Sequence, residues 1–510
     1  MTTPTYPGVY IQELSSGVHT ITGVATSIAA FIGWAPQGPV GQATLVQSWN
    51  DFQSQFGGLY SGVYLGYAVN LFFANGGQQA YIVRLVDGAT TATGSASGIT
   101  LYASSAGSWA NGLTVQFLAG DPSDNDSFGI QVLDSNNNPL ESFMNVSISP
   151  TASRYAPTVI DSDSQYISFI NNYPPPPTTP PSQLGATPPT GTLTFTTPGE
   201  PGTVLYDPTQ ADFADQITQS ALQTMLGSVP IVNIVCVPGL TTDNQGATAI
   251  QALQGFCAGA RAFCIVDSPQ NENVPTSAQA VTNAGQNLQN SAASGAANSA
   301  MYFPWVSAPD PVTGGRPTLM PPCGLVAGVY AATDASRGVW KAPAGIDAGL
   351  SGISGLQYTL TDLQNASLNP IGVNCLRYFP SYGNVVWGAR TLLGADTVGS
   401  QWKYVPIRRF ALFLESSLYD GTQWVVFEPN DETLWGQIRL NVGAFMQSLF
   451  LKGAFQGTTP QQAYFVKCDG ENNPQSSINQ GIVNIEVGFA PLYPAEFVII
   501  QIQQMTAGLS

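Results

Sequence analysis

Residues able to do chemistry are few and scattered. The one histidine of the 510-residue chain, His19, lies in a polar stretch with no carboxylates or thiols clustered around it. It reads as a solvated side chain, not as a metal ligand or general base. The six cysteines, Cys236, Cys257, Cys264, Cys323, Cys375 and Cys468, show no short paired spacing. They read as buried small hydrophobes in a reducing compartment, not as a disulfide framework or a zinc site. Asp121, Asp124 and Asp126 ahead of Gly129 outline a calcium loop, but Phe128 stands where a third alternating ligand is needed and no Glu follows at the required distance. An exposed polar turn is the better reading. Nucleophile elbow, Walker loop, dinucleotide fingerprint and zinc-protease helix are all missing from the sequence. The expectation is a protein with no catalytic, cofactor-binding or metal-ligating residues, and hence no enzyme.

Composition points the same way. A hydrophobic content of 44% is ample for a large core, and 510 residues predict two to four domains. Charged residues make up only 9%, against about 25% in an ordinary globular protein. The surface is therefore dressed with Ser, Thr, Asn, Gln and Gly, or covered by other subunits. A net charge of −17 argues against a nucleic-acid partner, which requires a basic footprint. Residues 1–300 hold 17 acidic groups against Arg84, Arg154 and Arg261, whereas residues 301–510 hold 14 acidic and 11 basic groups. Either the two parts face different surroundings, acidic part outward, or a polar surface merely lacks lysine. No basic n-region followed by an apolar core opens the sequence, which predicts a protein made in the cytoplasm without a signal peptide. The longest apolar runs are far too short to cross a membrane, so no membrane insertion is expected.

The elements follow from pattern. Ser27–Gly33 and Ala80–Val86 read as buried strands around a helix within Gly57–Ala74, a β–α–β-like unit. From Asp87 short strands (Leu113–Phe117, Phe128–Leu133, Phe143–Ile148) alternate with polar turns, predicting a β-rich insertion. Ten prolines between Asn171 and Gly202 predict an exposed loop, since proline neither donates to a ladder nor continues a helix. Residues 205–365 return to α/β pattern, with strands Ile231–Val237 and Ala262–Val266 around a helix near Ala247–Gly259. In the last third, Trp424–Phe427 reads as a strand and Asn430 as the cap of a helix at 432–452. Leu434, Trp435, Ile438, Val442, Phe445, Met446, Leu449 and Phe450 form its apolar stripe. Strands Tyr464–Asp469 and Ile482–Phe489 follow.

Tyr6-Pro-Gly-Val-Tyr, Phe72-Phe73-Ala-Asn-Gly-Gly77, Arg337-Gly-Val-Trp-Lys-Ala-Pro343, Trp387-Gly-Ala-Arg-Thr391, Arg408-Arg409 and Phe427-Glu-Pro-Asn-Asp431 occur in an order that resembles the contractile tail sheath family of myophage tails and extracellular contractile injection systems. The resemblance runs from residue 6 to about 504 and is weakest between about 90 and 230. It implies a mixed α+β and α/β multidomain fold. The inner sheath domain is built from both chain ends with terminal exchange arms, and β-rich and α/β insertions lie outside it. The expected divisions are an N-terminal arm at 1–24, inner domain at 25–88, β-rich insertion at 89–204, central α/β domain at 205–365, inner C-terminal domain at 366–490 and C-terminal arm at 491–510.

The resemblance further implies a structural subunit that stacks as hexameric rings around an inner tube protein and contracts to drive it through an envelope. Its implied partners are itself, the tube, baseplate and tail-terminator or cap proteins, and sister sheath proteins. The arms would exchange strands between subunits through Tyr6, Val9, Tyr10 and Ile11 at one end and Phe497, Val498, Ile499, Ile500 and Ile502 at the other. Independently, Phe497–Ile502 would be an edge liability if left unpaired, though a terminal strand can equally pair within its own chain. Gln437, Asn441, Gln447 and Ser448, the remaining face of the 432–452 helix, would be its tube side. The rival expectation is an acidic polymeric shell or capsid-like protein.

Overall fold

The computed structural model describes residues 19–173, 184–185, 187–270, 274–291 and 295–502. The chain divides into two units, one of residues 25–409 and one of residues 1–24 with 410–510.

The larger unit is organised by an eight-stranded sheet. Its strands lie in the order Gly383–Val386, Val373–Phe379, Ser299–Phe303, Phe263–Asp267, Ile234–Cys236, Ala29–Gly33, Ala80–Arg84, Thr44–Val46. The inner six are parallel, and each edge is closed by one antiparallel strand. Central parallel strands are covered on both faces, which is why Phe263–Asp267 and Ser299–Phe303 are continuous buried runs rather than alternating ones. Helices Tyr64–Ala74, Gly246–Ala260, Val274–Ser291 and Cys323–Arg337 belong to the same α/β unit. The sequence reading had set residues 25–88, 205–365 and 366–490 apart. Strands from all three stretches share this one sheet, because parallel neighbours need long crossovers and so draw partners from distant parts of the chain.

Two smaller sheets make up the insertion, and both are antiparallel. One has the order Gly191–Thr194, Thr114–Ala119, Ser127–Leu133, Pro139–Ser147, the other Thr93–Ala96, Ile99–Ala103, Ile167–Ser168. They enclose a core of their own that includes Val115, Phe128, Ile130, Val132 and Phe169. The proline-rich stretch is only partly the loop its composition predicts. Pro174–Gln183 and Ala186 lie outside the described residues, but Gly191–Thr194 pairs with Thr114–Phe117 and buries Leu193 and Phe195 in the core. No proline falls between Gly191 and Thr197, so a short edge strand escapes the local composition.

Arg84 fastens the insertion to the sheet. It ends a strand, is fully buried, and its guanidinium donates to the carbonyls of Ala35 (2.7 Å), Gly38 (2.8 Å), Pro36 (3.2 Å) and Ala106 (2.8 Å). Burial lowers its pKa to about 10. Asp267 is the corresponding buried acid. Its carboxylate accepts from Gly239 N and from Cys323 N, the first residue of helix Cys323–Arg337, both at 2.9 Å.

Two outcomes follow. Burial pushes the Asp267 carboxyl up to about 7, ahead of the opposing effect of its hydrogen bonds. Below about pH 4 the group is protonated in both the folded and unfolded chain. Between there and pH 7 only the folded chain keeps the proton, so unfolding free energy declines as pH rises and levels off above 7. Urea midpoints from pH 4 to 8 will show that decline, and Asp267→Asn will flatten it. Replacing residues 174–183 by a short Gly/Ser linker leaves the melting curve unchanged, whereas extending the deletion through Pro198 removes Leu184, Leu193 and Phe195 from the core and costs several kcal/mol, since each large buried side chain lost accounts for about 2–5 kcal/mol. Differential scanning fluorimetry of the two deletions separates these results.

Candidate interaction surface

The smaller unit is built on helix Glu432–Leu451. Asp431, not Asn430, is its cap: the Asp431 carboxylate accepts from Leu434 N at 3.0 Å, and Asn430 Oδ1 instead accepts from Trp435 Nε1 at 2.8 Å. Glu432 adds a negative charge to the positive first turn. Leu434, Trp435, Ile438, Val442, Phe445, Met446 and Leu449 form the buried face, as their spacing predicts.

The four residues expected on the tube side are unequally placed to meet a partner. Asn441 is only 3% exposed, and its side-chain oxygen accepts from His19 N at 3.2 Å. Gln437 and Gln447 are half-buried, and Gln447 Oε1 accepts from the Tyr464 hydroxyl at 2.9 Å. Of the four, Ser448 alone is exposed, and its hydroxyl donates to Phe445 O. The face that meets solvent runs Leu440, Ala444, Ser448, Leu451, with the two leucines 60% and 76% exposed. Two leucines off the apolar stripe, Leu440 and Leu451, separated by about three helical turns and so on one face, were the available signal.

Trp424–Phe427 is not a strand. Gln423–Val425 is a 3-10 turn, and Phe427 takes a left-handed φ of 70° with its ring wholly in solvent. The exposed ring of His19 stacks on Trp424 with centroids 4.2 Å apart. Downstream, Tyr464–Lys467 pairs antiparallel with Glu486–Phe489. The second strand is shorter than the alternation predicts because asparagines take the backbone before it: Asn473 and Asn472 side chains donate to Asn484 O, and Asn484 N donates to Asn473 Oδ1.

Between Leu492 and Ile502 the described residues make no further strand. Phe497, Val498, Ile499, Ile500 and Ile502 are 72–91% exposed and join no ladder. The other arm residues, Tyr6, Val9, Tyr10 and Ile11, lie outside the described residues. Among the described residues, 25 large apolar side chains stand exposed, and 13 of them fall in the smaller unit, which holds about a fifth of the described chain. Uncovered apolar surface is thus concentrated there, the pattern of an interaction site.

The other sequence motifs are structural pins of the larger unit. Asn75 bonds Leu71 O and both backbone groups of Ser351, and a Cβ on Gly76 would sit 2.7 Å from Ala332 Cβ. Arg390 is buried on Asn369 O, Gly394 O and Asp396. Arg409 forms a buried two-bond pair with Asp334 at 2.7 and 2.9 Å, with its guanidinium over the Tyr330 ring. Asp121 and Asp124 turn into their own loop, accepting from Ser123 and Asp126 backbone N–H groups. Among the described residues no cluster of three His, Cys, Asp or Glu is placed to hold a metal ion, and no helix is long and apolar enough to cross a membrane.

The family model described as phage tail sheath protein central domain matches residues 216–392, and that of the phage tail sheath C-terminal domain matches 397–505. A tail sheath protein of Vibrio phage KVP40 is 26% identical over 183 residues, 36% of this chain and 26% of that protein. A putative prophage major tail sheath protein of Pseudomonas aeruginosa is 25% identical over 265 residues, 52% of this chain and 62% of that protein. The chain therefore spans less than two thirds of either relative. Solved folds align over nearly the whole chain. The sheath of an extracellular contractile injection system in its contracted state gives a TM-score of 0.60 at 22% identity, covering 99% of both chains. A chain of the anti-feeding prophage baseplate in its contracted state gives 0.62 at 21%, covering 98% and 99%. The sheath tail protein of Listeria innocua gives 0.59 at 13%, covering 92% and 96%.

The left-handed backbone at Phe427 yields a direct outcome. A bulky residue there carries about 1–2 kcal/mol of strain that glycine does not, and the exposed ring contributes no burial. Phe427→Gly will raise the melting temperature of the isolated chain by a few degrees, read by differential scanning calorimetry.

Proposed function

The chain belongs to the contractile tail sheath family, and from that premise we propose that it is a structural sheath subunit of a phage tail-like particle, without catalytic activity. It polymerises as stacked hexameric rings around an inner tube and contracts to drive that tube through a target envelope. The observation that carries this reading is the run Phe497–Ile502, an apolar segment standing in solvent with no ladder of its own. Such a segment is a strand waiting for a sheet edge, and in a polymer the edge belongs to a neighbouring copy. The two-stranded sheet Tyr464–Lys467 and Glu486–Phe489 is small enough to gain from added strands. Residues 6–11 are assigned the same role at the other end. Exchange of both arms gives a head-to-tail contact, which propagates as an open helical assembly.

The tube side is assigned to Leu440, Ala444, Ser448 and Leu451, an uncharged face that predicts weak salt dependence of tube docking. Baseplate and terminator proteins complete the set of partners, with sister sheath proteins sharing the lattice where they occur.

Negative-stain electron microscopy of the purified chain tests the reading: hollow tubes with six-fold rings are expected, and closed particles or flat lattices would overturn it. Removing everything after Pro494 sharpens the test. Each main-chain hydrogen bond of strand exchange contributes about 0.5–1.5 kcal/mol, with apolar burial in addition. The truncated chain will keep its circular dichroism spectrum and melting temperature while losing assembly entirely in sedimentation. Tubes of normal length, or outright unfolding, would place the terminal segment within its own subunit.

A further inference from the structure

A small open pocket of about 110 Å³ lies where helix Cys323–Arg337 ends. Thr333, Ser336, Arg337, Lys341, Asp347 and Asn75 supply its polar lining. The chain is turned sharply to build it. Gly338 has a φ of 90°, where a Cβ would lie 2.4 Å from the Trp340 ring, and Lys341 N donates back to Gly338 O. The turn brings Lys341 close enough to Arg337 for the two like charges to interact.

The polar groups around the pocket have unequal spare capacity. Thr333 and Ser336 spend their hydroxyl protons on Val329 O and Ala332 O. Both Asn75 side-chain atoms are engaged by backbone groups. Lys341 Nζ donates to Ala342 O at 2.7 Å and Ala344 O at 3.3 Å, which leaves one of its three protons. Arg337 is exposed and, among the described residues, makes no hydrogen bond or ion pair. Asp347 lines the pocket without closing an ion pair to either cation. Burial and then Arg337 lower the Lys341 pKa, ahead of the opposing effect of Asp347, which acts on Lys341 without touching it.

Elsewhere in residues 301–510 six cations do hold carboxylates: Arg377, Arg390, Lys403, Arg409, Arg439 and Lys467. Residues 1–300 have the opposite imbalance, 17 acids against three arginines, of which Arg84 and Arg154 are spent on backbone carbonyls. The first 300 residues are left with acids in excess, and this pocket with two cations against one acid, Asp347, that pairs with neither.

We propose that the Arg337–Lys341 pocket is an inter-subunit site that takes an Asp or Glu carboxylate from the acid-rich residues 1–300 of a second copy of this chain. The proposal rests on the sheath reading and adds a charged contact to its apolar arms. A guanidinium offers a carboxylate two parallel donors, and the spare Lys341 proton supplies a third. The contact joins two different surfaces of the chain, so it propagates head to tail.

Arg337→Gln is the discriminating variant, because the guanidinium it removes bonds nothing among the described residues of its own chain. Sedimentation and electron microscopy across a concentration series should show the threshold for tube formation rising at least about tenfold, or about 1.4 kcal/mol per contact, with the melting temperature unchanged. Arg337→Lys should recover part of the loss. A variant that assembles at the wild-type threshold overturns the proposal. Should the wild-type chain form no tubes at all, the sheath reading fails instead, and the pocket is judged on the monomer. Glutarate at matched ionic strength should then raise the melting temperature of wild type but not of Arg337→Gln. No glutarate effect, or an effect of inorganic phosphate alone, overturns the carboxylate assignment.

Discussion

In the larger unit three guanidiniums sit entirely inside the fold, and the arrangement around them depends on their being satisfied there. Arg84, Arg390 and Arg409 are each at most 4% exposed. A buried cation is tolerable only when its protons all find acceptors, and breaking one such set typically costs about 3–5 kcal/mol. Arg84 solves the problem with carbonyls alone, collecting Ala35, Pro36 and Gly38 from the segment after one strand and Ala106 from the insertion. Those oxygens can converge only if that segment curls around the strand end and the insertion starts against it. Arg409 draws together Asp334 and Thr26 O, which are more than 300 residues apart in sequence. Arg390 ties the segment after the edge strand Gly383–Val386, through Gly394 and Asp396, to Asn369 just ahead of the last parallel strand. In a chain with only 14 Lys and Arg residues, three given to such positions are a large share.

This explains which parts of the molecule could be read from sequence. Buried parallel strands announce themselves as apolar runs, and the helix at 432–451 by its stripe, because period and hydrophobicity are local properties. The sheet they assemble into is not local. Nothing in Ala29–Gly33 names Ile234–Cys236 as its neighbour, so the reading divided one sheet among three domains. Composition misled where a short signal sat inside a strong one. Leu193 and Phe195 alternate with threonines, but ten prolines nearby outweighed them.

Which side chains of the 432–451 helix meet solvent was only partly legible, for a physical reason. Polarity was taken as the mark of the exposed helix face, which selected Asn441. What holds Asn441 inside is a donor to its carbonyl oxygen, His19 N, which lies 422 residues away, while its Nδ2 is buried with no partner among the described residues. Conversely, Leu440 and Leu451 look like core residues and stand in water. Apolar exposure on a free subunit is a cost unless assembly covers it, so such residues are the better guide to an interface in a polymer.

The same consideration bears on the low charge of the chain. A soluble monomer protects its surface with lysine and glutamate, which raise the desolvation cost of any unintended contact. With 9% charged residues this chain has little of that protection, and its exposed apolar side chains gather in the unit formed by the two chain ends. What charge it has is unevenly sorted, with acids in excess in the first 300 residues and cations concentrated after them. Apolar surface supplies most of the free energy of association but little selectivity between partners, because the hydrophobic effect is non-directional. Charge sorted between different parts of the chain supplies the selectivity, favouring contacts between unlike surfaces over contacts between like ones. For a head-to-tail polymer this bias is what separates an extending lattice from a closed dimer.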